Sequence, residues 1–212
     1  RRYAQGEIET VLDVQSEALR RVMPTYVRMQ RAGQIEITTS PYYHPVLPLL
    51  YDIAIAKEVR PDLPLPEQAI AYPEDGRAQM KLAVEFHRGW TGSAPAGLWP
   101  PEGGVCQAML PDVARCGFSW LATDEGILAR SLGVDIARDD AGHVTNPDLL
   151  YRPYRLDADG KTLTVVFRDR HLSDLIGFAY GRWQAQDAVD DLVGRLHLIG
   201  ERLDGSRDDH LV

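Results

Sequence analysis

The sequence predicts an α/β protein built on parallel strands, and three observations support this class. Strands alternate with helices along the chain, which is the pattern of a parallel sheet with right-handed crossovers. The content of 44% hydrophobic and 25% charged residues is typical of a globular protein with a sizeable core. Four predicted strands end in polar or charged residues, at 38–44, 99–102, 123–125 and 168–171. Clustering of such residues at strand ends favours a barrel, although a doubly wound sheet also fits. Four strands cannot close a barrel, so the prediction is a partial one.

The first half of the chain predicts two long helices separated by a short strand and a proline-rich connection. Apolar residues recur at helical spacing over residues 8–29, which predicts an amphipathic helix. Alternation of polar with apolar or β-branched residues predicts a strand over 34–39, and a loop with Tyr42, Tyr43 and His44 follows it. Residues 60–73 are proline-rich and predict an irregular connection. A second helix begins at Pro73, and its expected core-facing side carries Met80, Ala83, Val84, Phe86, His87 and Trp90.

The second half of the chain repeats the order of strand and helix. A buried strand ends near Trp99, and helices are predicted at 106–115 and 126–132 around a nearly continuous apolar strand at 118–123. Residues 133–150 predict a loop, 163–167 the clearest strand, and a further helix begins near Leu172. The last helix spans 185–203, with Ala188, Leu192, Val193, Leu196 and Ile199 expected to face inward.

Composition excludes several classes of function. The net charge of −8 argues against a nucleic-acid partner or an anionic membrane surface, because both attract basic patches. The chain shows neither an apolar run of membrane-spanning length nor a signal-peptide pattern. Cys106 and Cys116 are ten residues apart, a spacing that disfavours a disulfide, so we expect a cytoplasmic location. Residues 1–212 are interpreted as a single domain, cut from a longer barrel at both ends.

The stretch from Gly97 to Val105 predicts a site. Two prolines end strand pairing after Trp99, and Glu102 follows at once, before a glycine pair that permits a sharp turn. Glu102 therefore lies at a corner between strand and helix, where α/β folds place their chemistry, although a solvated loop glutamate fits this stretch equally well. Paired carboxylates in different environments are what acetal hydrolysis requires, and Trp99 offers a flat face for a sugar ring.

Other strand ends add further candidates for contact with a substrate. His44 lies in the loop after the first strand, and Arg168, Asp169 and His171 form a charged cluster after the last. The plainer interpretations are a structural histidine and a salt-bridged start of a helix. No two histidines have a close ligand spacing, and no phosphate-binding or dinucleotide motif is present, so neither a metal nor a cofactor is predicted.

Four segments together resemble glycoside hydrolase family 57, whose members include α-amylases, branching enzymes and 4-α-glucanotransferases. They are residues 33–50 (GQIEITTSPYYHPVLPLL), 97–103 (GLWPPEG), 120–125 (WLATDE) and 168–177 (RDRHLSDLIG), the last followed by Tyr180 and Trp183. The resemblance implies an incomplete (β/α)7 barrel and a retaining mechanism on α-glucans such as starch, glycogen or maltooligosaccharides. It also implies that missing barrel segments of the same chain complete the fold.

The resemblance assigns roles to particular residues. Glu102 matches the catalytic nucleophile, and Tyr43, His44 and Trp99 match positions that line the sugar site. The aspartate that serves as general acid is expected beyond Val212, and the histidine-rich first motif is absent. Asp124 is interpreted as a sugar-binding or supporting group, with a role as the acid as the alternative. A barrel that binds carbohydrate without turnover, and a polysaccharide deacetylase with a metal held by Asp and His, are the rival interpretations.

Overall fold

A computed structural model describes residues 4–203 and confirms the predicted α/β class. Its sheet has four strands in the order β1-β2-β4-β3. Strands β1, β2 and β4 are parallel, whereas β3 runs antiparallel to β4. The strands span Gly97–Leu98 (β1), Trp120–Asp124 (β2), Tyr154–Asp157 (β3) and Thr162–Arg168 (β4).

Helices and short helical turns connect the strands. The α-helices are Gln5–Arg31 (α1), Leu47–Tyr51 (α2), Ala56–Val59 (α3), Pro73–Thr91 (α4), Leu110–Arg115 (α5), Glu125–Leu132 (α6), Pro147–Leu150 (α7), Arg170–Asp174 (α8) and Ala185–Arg202 (α9). The 3₁₀ turns are Ile53–Ile55, Pro101–Gly103, Gln107–Met109 and Tyr180–Arg182, and a π turn spans Leu175–Ala179. None of the helices in residues 4–203 is long and apolar enough to cross a membrane.

The first predicted strand, 34–39, is wrong in extent. Only Thr39 pairs, in parallel with Leu98 of β1. The Thr39 N–H donates to Gly97 O at 3.2 Å, and the Trp99 N–H donates to Thr39 O at 2.9 Å. Prolines two residues before Gly97 and directly after Trp99 bring no N–H, so β1 is too short to support a longer ladder.

Strand β3 is absent from the sequence-based prediction. It forms a hairpin with β4 through a turn in which Asp159 and Gly160 have φ of 61° and 79°. Only half of its residues face the core, and they alternate with exposed ones. This alternation is typical of an edge strand, and four residues are too few to distinguish it from a loop by pattern.

The core lies on one face of the sheet, as the pleat and register require. Leu121 of β2 pairs with Val165 of β4, and Thr123 with Phe167; all four side chains are buried. They pack with side chains from the helices, including Leu47, Met80, Met109, Leu110, Val113 and Leu128. The neighbouring pairs on the opposite face, Trp120 with Thr164 and Asp124 with Arg168, are only half-buried.

Two helices present apolar faces that stay exposed. Helix α1 buries none of its residues, and its apolar side chains are 41–71% exposed at Ile8, Val11, Leu12, Val14, Leu19, Val22, Met23 and Tyr26. In α9 only Ile199 is buried, so the predicted inward set is wrong for Val193 and Leu196. Within residues 4–203 no further element covers these faces, and periodicity alone marks an apolar face without saying whether a partner meets it.

Helix α4 follows its prediction in part. Met80, Ala83 and His87 are buried as expected, but Phe86 is 58% exposed. His87 fills a structural position, because its two ring nitrogens bond Ser93 O and Ile37 O at 3.1 Å each. Cys106 and Cys116 are free thiols, half-buried against the core.

Candidate active site

Four chain segments reach the same edge of the sheet. Thr39, β1, β2 and β4 run parallel in adjacent positions, so their carboxyl ends lie side by side. The segments that leave these ends are 40–44, 99–103, 124–125 and 168–170, which include every residue predicted for the site except His171. The topology therefore places separate sequence motifs along one edge.

Glu102 is exposed on the turn that follows β1. It adopts φ 56° and ψ 17°, and the next residue, Gly103, has φ 64°. The left-handed region is unfavourable for a residue with a Cβ, and such residues collect at functional sites. Within residues 4–203 the Glu102 carboxylate accepts no hydrogen bond, so it is free to meet a ligand.

The turn that carries Glu102 is held against β2. The hydroxyl of Thr123 donates to Gly103 O at 2.5 Å. A Cβ built on Gly103 would lie 3.8 Å from the Cβ of Asp124. Residues next to Glu102 are thus anchored to the strand end that bears Asp124, so the structure brings these two predicted site residues to neighbouring positions.

Tyr43, His44 and Trp99 occupy the adjoining part of the edge. Ser40 Oγ donates to Trp99 O at 2.9 Å and fixes the two segments to each other. Tyr43 is 76% exposed, and Trp99 is half-buried. His44 is exposed and has φ 58°, so it is a second residue other than glycine held in the left-handed region beside Glu102's strand.

Asp124 and Arg168 meet on the half-buried face of the sheet. Arg168 Nε donates to Asp124 Oδ2 at 3.0 Å, and Arg170 forms a second ion pair with the same carboxylate. Burial raises the pKa of Asp124, but hydrogen bonds from Arg170, the Gly126 N–H and Arg168 outweigh it and hold the pKa below its ordinary 3.8. Asp124 is therefore ionised at neutral pH, which disfavours a role as general acid.

A buried network lies directly behind this pair. Asp169, only 1% exposed, accepts from Tyr151 Oη at 2.6 Å, the Leu172 N–H at 3.0 Å and Arg138 Nη2 at 3.0 Å. Arg138 also bonds Glu125, which follows Asp124 in the chain. These contacts favour a structural role for Asp169, as the N-cap of α8, over contact with a sugar.

Arg138 and Tyr151 are absent from the predicted site residues. Both lie outside the four strand-end segments, in residues that the sequence assigns to a loop or leaves unassigned. Burial of Glu125 raises its pKa above the ordinary 4.5, although Arg138 acts in the opposite direction. Two carboxylates around one guanidinium could be recognised only after the fold had brought them together.

His171 is the one predicted site residue that the fold directs elsewhere. Its half-buried ring packs against Gly142, where an added Cβ would overlap the imidazole, and Nε2 lies 3.5 Å from Arg195 Nη1. Burial, and then Arg195, lower the pKa of His171 below 6.5. These neighbours belong to the 139–143 loop and α9 instead of to the edge that carries Glu102.

The ion pairs of Asp124 predict an acid-sensitive fold. A carboxyl whose pKa is lower in the folded state stabilises the protein above its unfolded pKa, and this contribution disappears as pH falls through the folded value. We expect the free energy of unfolding to decrease from about pH 5 to about pH 3, and to decrease less in Asp124→Asn. Urea titrations across this range would measure it, and equal pH slopes in the two proteins would contradict it.

Comparison with known structures identifies the fold. A 4-alpha-glucanotransferase from Thermococcus litoralis matches 90% of this chain at 18% identity, with a TM-score of 0.57. A GH57 branching enzyme from Thermococcus kodakaraensis matches 96% at 14% identity and a TM-score of 0.61. An alpha-amylase from Thermotoga maritima matches 79% at 19% identity and a TM-score of 0.50. The chain spans 23%, 44% and 26% of the lengths of these three proteins.

The sequence family agrees with the fold. No curated protein sequence matches this chain. The family model described as glycosyl hydrolase family 57 matches residues 7–207. Because that match covers nearly the whole sequence, the chain belongs to glycosyl hydrolase family 57.

Proposed function

We propose that residues 1–212 form one domain, the central part of the catalytic barrel of a retaining glycoside hydrolase or transglycosylase that acts on α-glucans. Family membership supports the class of enzyme. The similar structures are named as a 4-alpha-glucanotransferase, a branching enzyme and an alpha-amylase, which supports an α-glucan as the substrate. Further barrel segments of the same chain would complete the fold and the site.

The observation that carries this proposal is the state of Glu102. Its carboxylate is exposed and accepts no hydrogen bond within residues 4–203, on a left-handed turn at the carboxyl end of β1. In a retaining mechanism such a carboxylate attacks the anomeric carbon as the glycosidic bond breaks, and forms a covalent glycosyl-enzyme. Water then releases the sugar in hydrolysis, and an acceptor hydroxyl releases it in transfer.

The general acid is proposed to lie outside this sequence. It must hold a proton at working pH, whereas the arginines at Asp124 keep that carboxylate ionised. Asp169 is buried with both oxygens occupied, so it cannot reach a leaving group. We assign the proton transfer to an aspartate at the end of a later strand of the complete protein.

Other exposed or half-buried side chains of the edge are proposed to form the sugar site. Trp99 and Tyr43 offer ring faces for the apolar C–H patches of a glucose unit, and His44 offers a ring nitrogen to a hydroxyl. Arg168 uses only its Nε–H in the pair with Asp124, so the other N–H groups of its guanidinium can donate to a sugar hydroxyl. Asp124 already accepts four hydrogen bonds, and we propose that it supports the binding site by holding Arg168 in place. Asp169 and His171 are not included in this set. Asp169 is buried among its hydrogen-bond partners, and His171 packs against Gly142 and Arg195, away from the edge.

A trapping experiment tests the nucleophile directly. The complete protein is incubated with a 5-fluoro-α-glucosyl fluoride, from which the fluoride leaves readily while the glycosyl-enzyme hydrolyses slowly. Digestion and mass spectrometry should find one added fluoroglucosyl group, on the peptide that contains Glu102. Labelling of another carboxylate would overturn the assignment, and the same reaction with Glu102→Gln should give no labelled peptide.

A further inference from the structure

Three exposed aromatic rings form a continuous surface next to the proposed catalytic edge. Tyr42, Tyr43 and Phe86, called here the aromatic cluster, are 42%, 76% and 58% exposed. The Tyr42 ring centroid lies 4.8 Å from that of Tyr43 and 5.6 Å from that of Phe86, and both pairs are edge to face. Grouped exposed aromatic side chains are uncommon on a soluble surface and mark binding sites.

The backbone beneath the aromatic cluster is held by one helical residue. The Tyr42 N–H donates to Gln79 O at 3.2 Å, and the Tyr43 N–H donates to Gln79 Oε1 at 2.8 Å. Gln79 lies on α4, two turns before Phe86 on the same helix. Phe86 is part of α4, and the backbone of Tyr42 and Tyr43 is hydrogen-bonded to it. Because the surface is already ordered, a ligand that stacks on the rings loses little binding free energy to ordering them.

The aromatic cluster is continuous with the proposed active site. Tyr43 precedes His44, and the same segment is joined to β1 by the bond from Ser40 Oγ to Trp99 O. A chain that leaves the sugar site at Trp99 and Glu102 towards the first strand end therefore meets these rings. The polar groups on the cluster are two phenol hydroxyls and the Gln79 amide, all uncharged, and they suit a neutral ligand rich in hydroxyls.

We infer that the aromatic cluster is an outer subsite that stacks glucose units of a long α-glucan beyond those held near Glu102. This inference rests on the proposed function. It assigns the ligand as a linear α-glucan, and it adds Tyr42 and Phe86 to the binding surface. Short oligosaccharides would occupy the central site as far as Tyr43 without reaching Tyr42 and Phe86, so these two rings select for chain length.

The test compares a long and a short ligand. The complete protein with Glu102→Gln is titrated with maltoheptaose and with maltotriose by calorimetry, alone and with Tyr42→Ala or Phe86→Ala added. Each added change should weaken maltoheptaose binding by about 5- to 10-fold, the loss typical of one aromatic contact. Maltotriose binding should change by less than about twofold. Tyr26→Ala, on α1 outside the cluster, should bind both ligands like the parent. Tyr42→Phe keeps the ring and should lose less maltoheptaose affinity than Tyr42→Ala.

Three results would overturn the inference. They are unchanged maltoheptaose affinity in both alanine variants, equal losses for the two ligands, or a concentration-dependent dimer that the alanine changes dissolve. The last result would assign the rings to contact between two copies. Failure of the proposed function gives a different outcome, because the parent would then bind neither glucan or would still turn them over without the Glu102 carboxylate.

Discussion

Replacing Glu102 with glutamine in the complete protein is expected to lower turnover of α-glucans by about 10³-fold or more. The amide is nearly the same size as the carboxylate but cannot form the covalent glycosyl-enzyme. Because the side chain is exposed and makes no hydrogen bond within residues 4–203, the change is expected to leave the fold and the proposed glucan affinity intact. Initial rates with amylose, together with calorimetric affinity for maltoheptaose, separate loss of chemistry from loss of binding.

Two companion variants sharpen this experiment. Glu85→Gln removes another exposed carboxylate, on α4, and should leave the rate unchanged. Glu102→Ala opens space for azide, which should restore turnover and give a β-glycosyl azide, because the anion attacks from the face that the carboxylate vacated. A Glu102→Gln protein that keeps more than about a tenth of the parent rate is incompatible with a nucleophile at this position.

Replacing Arg138 with methionine is expected to destabilise the fold by about 3–5 kcal/mol. Arg138 bonds the buried carboxylates of Glu125 and Asp169, which are 9% and 1% exposed. Methionine fills similar space but leaves two like charges in the interior without a counterion. Removing one partner of a buried ion pair is costly for this reason, whereas the intact pair contributes much less.

Urea unfolding of the parent and the variant measures this loss. Arg21→Met is the matched control, because Arg21 pairs with Glu17 in solvent, with 75% of its side chain exposed. That change should alter stability by less than about 0.5 kcal/mol. If Arg138→Met and Arg21→Met unfold at the same urea concentration, Arg138 is not needed to neutralise the buried carboxylates of Glu125 and Asp169.

The fold was predictable wherever a local pattern carries the information. The apolar run before Asp124 and the β-branched run before Arg168 predict β2 and β4, and the acidic start and apolar spacing predict α4. Strand β3 was missed because four alternating residues resemble a loop until β4 lies beside them. The exposure of the apolar faces of α1 and α9 could not be predicted, because an amphipathic pattern does not show whether another element packs against that face.

The candidate site was predictable one strand end at a time. Proline, glycine and charge mark the corner at Glu102 and the cluster at Arg168 without any knowledge of the sheet. Asp124 and Glu125 are neighbours in the sequence but make different contacts, as do Arg168 and Asp169. Only the register of β2 and β4 reveals this difference, since successive residues of a strand point to opposite faces. Arg138 lies 31 residues from Asp169 in the sequence and contacts it only through the fold.

The left-handed backbone at Glu102 has an evolutionary consequence. Glutamate in this region costs about 1 kcal/mol or more relative to glycine, which adopts it freely. Under the proposed function, selection for folding and selection for catalysis therefore act in opposite directions at position 102. In a gene copy released from the need to turn over glucan, drift at position 102 favours glycine or asparagine over alanine. Under the same proposal, the residue at position 102 is expected to separate members that keep the activity from members that have lost it.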